Sequence, residues 1–299
     1  MHIDIAIASD QNMEVGLHVT LYTSLQFLDP DCFINIHLFS KDLPSKAIDR
    51  IHHTLSPFQD RYHLQLYDVA SLDLGSGRGL HQSKMPYVIL LVAKLVEAEK
   101  LLFLDADLII RTDLSKLFAY SLEEKVVGAV FESSVSKVWS KERDVLVEIG
   151  LSEDAPYFNS GVVLFDAKQW KQKNLTSRCF EIIETYGKSL YNTDQTVINA
   201  AVKGDFFLLP KHYNQPFYPR GYPITKETSG ICHLLGSPKP WDIFGEILHR
   251  SYPTFRGHLE QTAFCNYKSY LSPSPSRLRR AFNLSRSYSV ALQHYLKYR

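Results

Sequence analysis

Two aspartates, Asp105 and Asp107, close the apolar run Leu101 to Leu104, and the chain turns apolar again through Leu108, Ile109 and Ile110. Carboxylates at i and i+2 that point into one crevice repel each other unless a cation lies between them, and hard oxygen ligands suit Mg²⁺ or Mn²⁺. Spacing alone carries little weight. Asp29-Pro30-Asp31 has the same spacing, follows no apolar run and reads as a solvated turn. The setting of Asp105-Ala106-Asp107 is different. A continuous apolar run suits a strand buried on both faces of a mainly parallel sheet, and open α/β sheets bind ligands at the carboxyl edge of their strands. The residues therefore predict a divalent-metal site holding something phosphorylated.

Other candidates lie downstream. Asn159 sits in a polar Asn-Ser-Gly step ahead of the apolar strand that runs to Phe165, and Asp194-Gln195 opens a helical stretch. His233 ends a short strand that leads into a Gly/Pro-rich turn with Gly236, Lys239 and Trp241. Each has a plain structural reading: a turn asparagine, a helix cap, a core histidine, a surface lysine. Gly75 to Gly79 fails the dinucleotide fingerprint, since its third glycine comes one residue early and no helix start follows; it reads as a mobile connection.

The elements that would position these groups follow from periodicity. Strands are predicted at Ile3 to Ala8, Phe33 to Phe39, Leu64 to Val69, Val126 to Phe131, Tyr157 to Asp166 and Phe206 to Leu209, with helices at Val15 to Leu28, Pro44 to Leu55, Tyr87 to Glu97 and Asp113 to Phe118. Ser133 to Asp154 reads as a helical excursion. Two further helices are expected, Ala167 to Tyr186 and Asp194 to Lys203, the second opened by Asn192-Thr193 as capping chemistry. Leu208 to Pro223 reads as a loop shaping a pocket wall. The strand–helix alternation predicts an α/β sheet with crossover helices.

At 299 residues, with 22% charged and 45% hydrophobic residues, the composition is that of a soluble globular protein. The start of the sequence lacks the basic and apolar regions of a signal peptide, and the longest apolar run, Tyr87 to Val96, is interrupted by Lys94. Four scattered cysteines show neither metal-ligand nor disulfide spacing, so a cytoplasmic location with reduced thiols is expected. The net charge of +1 hides an asymmetry. Seven of the 33 Lys+Arg and none of the 32 Asp+Glu lie after Glu260, leaving the body at −6 and the tail at +7. Past a Ser/Pro linker at Pro273 and Pro275, Leu278, Phe282, Tyr288 and Leu292 recur at near-helical intervals among arginines. That is a basic amphipathic helix, expected either to dock on an anionic inner membrane leaflet or to pack on the acidic body. No aromatic–basic face suggests nucleic acid.

The ordered series, an apolar strand ending in Asp-x-Asp, then Phe-Asn-x-Gly, then Asp-Gln opening a helix, then His-x-x-Gly-x-x-Lys-Pro-Trp, resembles the retaining glycosyltransferases of family 8 from Ile3 to about Trp241. The resemblance implies a Rossmann-like GT-A fold over 1–265 with a basic tail at 266–299. It also implies transfer of galactose or glucose from a UDP-sugar to a glycan or lipid-linked saccharide. Asp105, Asp107 and His233 would hold the metal, Mn²⁺ usually and Mg²⁺ alternatively. Gly236 and Lys239 would bind the diphosphate, with Ala8, Asp10, Asn12 and Ala106 also on the donor. Glu132, Asn159, Asp194 and Gln195 would line the sugar and acceptor side. Gln195 is a poor nucleophile, which favours front-face attack over double displacement. The sequence departs from the pattern at Met13, where an aromatic often stacks on uracil, and at Ile89, where many members carry a donor-holding arginine. The competing readings are a haloacid-dehalogenase-like Mg²⁺ phosphohydrolase and a non-catalytic binding protein of the same fold.

Overall fold

The structure is a computed structural model that describes residues 1–41, 44–75, 77, 83–271 and 275–297. In its first third, strand and helix alternate as the periodicity predicts. β1 (His2–Ser9), β2 (Phe33–Ser40) and β3 (Tyr62–Asp68) pair in parallel, with α1 (Glu14–Gln26) and α2 (Ser45–Leu55) as crossovers. Ile3, Ile5 and Ile7 of β1 and Ile34 and Ile36 of β2 are fully buried in one cluster with Leu17, Leu21 and Leu25 of α1. One face of a period-2 strand thus meets one stripe of a helix, each such side chain contributing about 1.5–3 kcal/mol. Asp29 and Asp31 lie in an exposed turn, the Asp29 carboxylate accepting the Asp31 N–H at 2.9 Å. The Gly75 to Gly79 stretch falls largely outside the described residues.

A single 3₁₀ turn and α3 (Ile89–Leu95) deliver the chain to β4 (Lys100–Leu104), which pairs in parallel with β1. The apolar run from Leu101 to Ile110 is two strands. It breaks at Asp105–Asp107, and β5 (Leu108–Arg111) leaves the main sheet for a second one. A single strand would have carried two carboxylates between buried faces; the break sets them at the seam of two sheets. α4 (Leu114–Phe118) follows, capped by the Asp113 carboxylate, which accepts the Ser115 N–H at 2.9 Å.

β6 (Val127–Ser134) leads through α5 (Ser140–Glu148) to β7 (Pro156–Asp166). The predicted helix from Ala167 to Tyr186 is divided into α6 (Ala167–Gln172) and α7 (Leu175–Tyr186) at Asn174, whose φ of 49° is left-handed. Asparagine tolerates that conformation better than most residues. After α8 (Thr193–Val202), β8 (Phe207–Leu208) completes a sheet of order β3-β2-β1-β4-β7-β6-β8. Its neighbours are parallel except where β7 runs against β4 and β6.

The second sheet has the order β5-β10-β9, with β9 (Gln215–Pro216) and β10 (Gly230–His233). After α9 (Gly245–Leu248), α10 (Tyr252–Leu259) packs Phe255 and Leu259 with Trp241, Ile109 and Val19. The basic helix expected in the tail is two helices, α11 (Pro275–Asn283) and α12 (Ser285–Lys297), parted at the buried Leu284. α11 packs on the body: Arg280 Nε lies 2.9 Å from Asp242 Oδ1. No helix among the described residues is long and apolar enough to cross a membrane.

Candidate active site

β10 brings the third ligand to the aspartates by register. It pairs antiparallel with β5 so that His233 faces Leu108, the residue after Asp107. Its Nε2 then lies 3.2 Å from Asp107 Oδ1 and 3.5 Å from Asp105 Oδ2, and one ligand atom of each residue falls within 4.8 Å of the others. Gly161 of β7 makes the approach possible. Its carbonyl accepts the Asp105 N–H at 2.9 Å, and a methyl group there would stand 2.2 Å from His233 Cε1.

The hydrogen bonds fix which imidazole nitrogen faces the carboxylates. The Gly161 N–H donates to Asn159 Oδ1 at 3.0 Å, so that oxygen is an acceptor. Asn214 must then offer it Nδ2, at 2.8 Å, and turn Oδ1 to His233 Nδ1, at 3.0 Å. A donating Nδ1–H leaves the Nε2 lone pair aimed at two carboxylates, the arrangement of a ligand whose other nitrogen is held by an outer partner. Asp107 Oδ1, fully enclosed, has no hydrogen-bond partner. Three acceptors that converge without a donor fit a cation, and a mixed oxygen and nitrogen set fits Mn²⁺ better than Mg²⁺.

The charges are strongly coupled. Burial raises the Asp107 carboxyl, but the Lys239 ammonium that donates to it outweighs this and holds it well below the usual carboxylate range. Enclosure and the Asp107 charge raise the Asp105 carboxyl, although its side chain is 39% exposed to the cleft. Lys239 is itself buried. Its Nζ donates to Asp107 Oδ2 at 2.6 Å and to the Leu234 carbonyl, which engages two of its three donors.

Across the cleft, α8 presents Asp194 and Gln195. Gln195 Oε1 accepts from Asn159 Nδ2 at 3.0 Å, and Gln195 Nε2 donates to Glu132 at 2.6 Å. A continuous chain of polar contacts thus runs from His233 through Asn214, Asn159 and Gln195 to Glu132. Burial pushes the Asp194 carboxyl up to about 6, against hydrogen bonds from Ser160 at 2.8 Å and Thr193 at 2.9 Å. The expected cap by Asn192 is absent, since its side chain makes no cap hydrogen bond. Glu142 of α5 instead anchors the turn that enters the helix. Fully buried, it accepts from the N–H groups of Tyr191 and Asn192 at 2.8 and 2.6 Å and from the Thr196 hydroxyl at 3.0 Å. It lies beneath Thr193, whose φ of 38° is also left-handed.

All the residues singled out by sequence line one cleft of about 880 Å³: Ala8, Asp10, Asn12, Asp105, Ala106, Asp107, Glu132, Asn159, Asp194, Gln195, His233, Gly236 and Lys239. Asp10 accepts the Asn12 N–H at 2.9 Å, and the Asn12 carbonyl accepts Trp241 Nε1 at 3.1 Å. Met13 lines the same end, whereas Ile89 is fully buried in the core. Sequence reasoning missed Asn214 and Glu142. It also missed that Arg279, Arg280 and Asn283 of α11 line the cleft. Asn214 lay in a segment read only as a pocket wall, and Glu142 in an excursion whose apolar pattern gives no hint of a buried carboxylate.

A metal-capable acid–imidazole triad at the seam of the two sheets, facing a lysine and an amide cluster, defines a candidate site for a cation and an anionic ligand. The chain belongs to glycosyl transferase family 8, whose description fits residues 4–244. Among curated relatives, general stress protein A of Bacillus subtilis is 24% identical over 180 residues, covering 54% of this chain and 60% of that protein. A lipopolysaccharide 1,2-glucosyltransferase of Escherichia coli is 29% identical over 153 residues, covering 48% of this chain and 44% of that protein. Among solved structures, the bifunctional glycosyltransferase WbbM superposes with a TM-score of 0.75 at 17% identity, covering 91% of this chain and 52% of that one. The galactosyltransferase LgtC, solved with donor and acceptor sugar analogues, gives 0.69 at 21% identity, covering 87% of this chain and 96% of that one. The fold is that of the GT-A glycosyltransferases.

Proposed function

We propose that this chain is a metal-dependent retaining hexosyltransferase that moves galactose or glucose from a UDP-sugar to a hydroxyl of a glycan or lipid-linked saccharide, in lipopolysaccharide or other cell-surface glycan assembly. The observation that supports the metal-dependent part is the convergence of Asp105 Oδ2, Asp107 Oδ1 and His233 Nε2 with no donor among them, beside Lys239. The hexose and the acceptor class rest on the names of relatives, among them lipopolysaccharide glucosyltransferases and a galactosyltransferase. The metal, Mn²⁺ or Mg²⁺, would supply positive charge at the departing diphosphate. Lys239 would add a donor there, and Gly236 a close backbone approach. Asp10, Asn12, Ala8 and Ala106 would flank the nucleoside. Gln195 Oε1 already accepts from Asn159, so its lone pairs are a poor source of a covalent bond; that supports front-face attack, with the leaving phosphate taking the acceptor proton. Asp194, Asn159 and Glu132 would hold the sugar and acceptor hydroxyls.

The test is UDP release from a panel of UDP-sugars with and without Mn²⁺. Metal-dependent release that Asp107→Ala abolishes supports the reading; failure to release UDP from every sugar nucleotide in the presence of metal ends it.

We further propose a cytoplasmic enzyme whose tail touches an anionic inner-membrane surface. Leu278, Phe282, Leu292 and Leu296 are 48–79% exposed on α11 and α12, helices whose only formal charges are basic. Flotation with anionic liposomes should be lost in Leu278→Glu plus Phe282→Glu; unchanged flotation sinks the membrane assignment.

A further inference from the structure

α11 divides its faces among three surroundings. At about 100° per residue, Arg277, Arg280, Ala281 and Leu284 share one side, Arg279 and Asn283 the next, and Leu278 and Phe282 the open side. The first side packs on the body. Arg277 Nη2 donates to the Trp241 carbonyl at 2.6 Å, an oxygen that also accepts the Tyr267 hydroxyl at 2.7 Å. Arg280 grips Asp242 with two nitrogens, Nε on Oδ1 at 2.9 Å and Nη2 on Oδ2 at 3.4 Å.

Asp242 is the junction. It is 5% exposed, and its Oδ2 also accepts the backbone N–H of Lys239 at 2.8 Å, while its own N–H returns to the Lys239 carbonyl at 3.0 Å. One carboxylate therefore closes the turn that carries Lys239 and is neutralised from behind by the tail. A buried carboxylate without a cation must take up a proton or turn toward water. Either response weakens its hold on the Lys239 amide.

We propose that Arg280 is a positioning residue for the active site: through Asp242 it fixes the backbone at Lys239, and hence the ammonium that faces Asp107 and the donor diphosphate. The diphosphate role rests on the function proposed above; the clamp itself does not. A guanidinium suits the task because its fork spans both carboxylate oxygens from a rigid plane. The basic tail is thus a working part of the cleft, acting on a lysine 41 positions upstream.

The test uses the full chain with Arg280→Met, which keeps most of the stem, and the double variant Arg280→Met with Asp242→Asn. A neutral amide can still accept the Lys239 N–H and has no charge to neutralise. In Arg280→Met, hydrogen exchange at the Lys239 amide should accelerate about tenfold, and kcat for donor turnover should fall about tenfold with donor KM little changed. The double variant should recover most of both losses. Unchanged exchange and kcat in Arg280→Met overturn the proposal. So does a double variant no better than the single one, with kcat tracking the loss of thermal stability, since the arginine would then only hold the fold. If the unmodified protein neither binds UDP with Mn²⁺ nor releases it, the function proposed above fails, and the exchange measurement still decides the clamp.

Discussion

Gly161→Ala is the sharpest probe of the triad because it alters no ligand. The added methyl would lie 2.2 Å from His233 Cε1, 2.7 Å from Nδ1 and 2.8 Å from Asp105 Oδ2. Carbon atoms ordinarily approach to about 3.5 Å, so the imidazole must retreat by more than about 1 Å. It cannot do so freely, being held by the pairing of β10 with β5 and by Asn214 at Nδ1. Retreat draws Nε2 away from the aspartates and breaks the outer hydrogen bond. Mn²⁺ affinity should fall about 10–100-fold, and sugar transfer by about 100-fold. Overpacking should cost about 1–3 kcal/mol, leaving a folded protein whose melting temperature drops by only a few degrees. Calorimetric titration of Mn²⁺ in the presence of UDP, initial rates of UDP release and a thermal scan read the three effects. A folded Gly161→Ala protein with unaltered Mn²⁺ affinity and turnover would refute the assembly of the site from Asp105, Asp107 and His233.

His18 and His249 are buried with Nε2 unpartnered, and burial, aided by the Arg50 and Lys239 charges respectively, pulls both down to about 3. Below about pH 6.5 the unfolded chain takes up protons that these folded histidines refuse, so their contribution is intact above that pH and is lost as pH falls toward 3. Each should remove about 1.4 kcal/mol of stability per pH unit, and His18→Leu should flatten the slope of urea midpoint against pH by one such share; an identical slope in the variant contradicts it. Glu142→Ala should orphan two N–H groups in the turn that enters α8, the Thr196 hydroxyl keeping its Tyr157 partner at 2.8 Å, at a cost of at least about 2 kcal/mol and with turnover lowered while Mn²⁺ affinity holds; an unchanged urea midpoint counts against Glu142 as the anchor of that turn.

The parts of the site legible in sequence were those fixed by burial. The run Leu101 to Leu104 can only be an interior strand, so the aspartates after it had to lie at a sheet edge, and the alternation at Ile3 to Ile7 placed its neighbour. The split of that run between two sheets was not legible, because Leu108 to Ile110 is as apolar as a continuation would be. Long-range polar partners were the other loss. Asn192 carries good capping chemistry locally, but Glu142, fifty positions away, makes the stronger charge-assisted bonds and leaves the asparagine side chain to a different contact. Asn214 gives no local signal at all, since its role depends on the register of β10. In the tail, the run of arginines left two partners open, an anionic membrane surface or the acidic body, and the structure pairs Arg280 with Asp242 of the same chain.

The seam between the two sheets also sets an order of assembly. Asp105 and Asp107 belong to the strand system built from the first hundred or so residues, whereas His233, Lys239 and Arg280 arrive with the last quarter of the chain. A ribosome-bound chain lengthens by about 5–20 residues per second, so the two carboxylates wait several seconds or more with no imidazole or ammonium beside them. Until then the half-made sheet carries a bare, self-repelling acidic edge that lacks its imidazole partner. The lining of the cleft is completed last, by Arg279, Arg280 and Asn283 of α11.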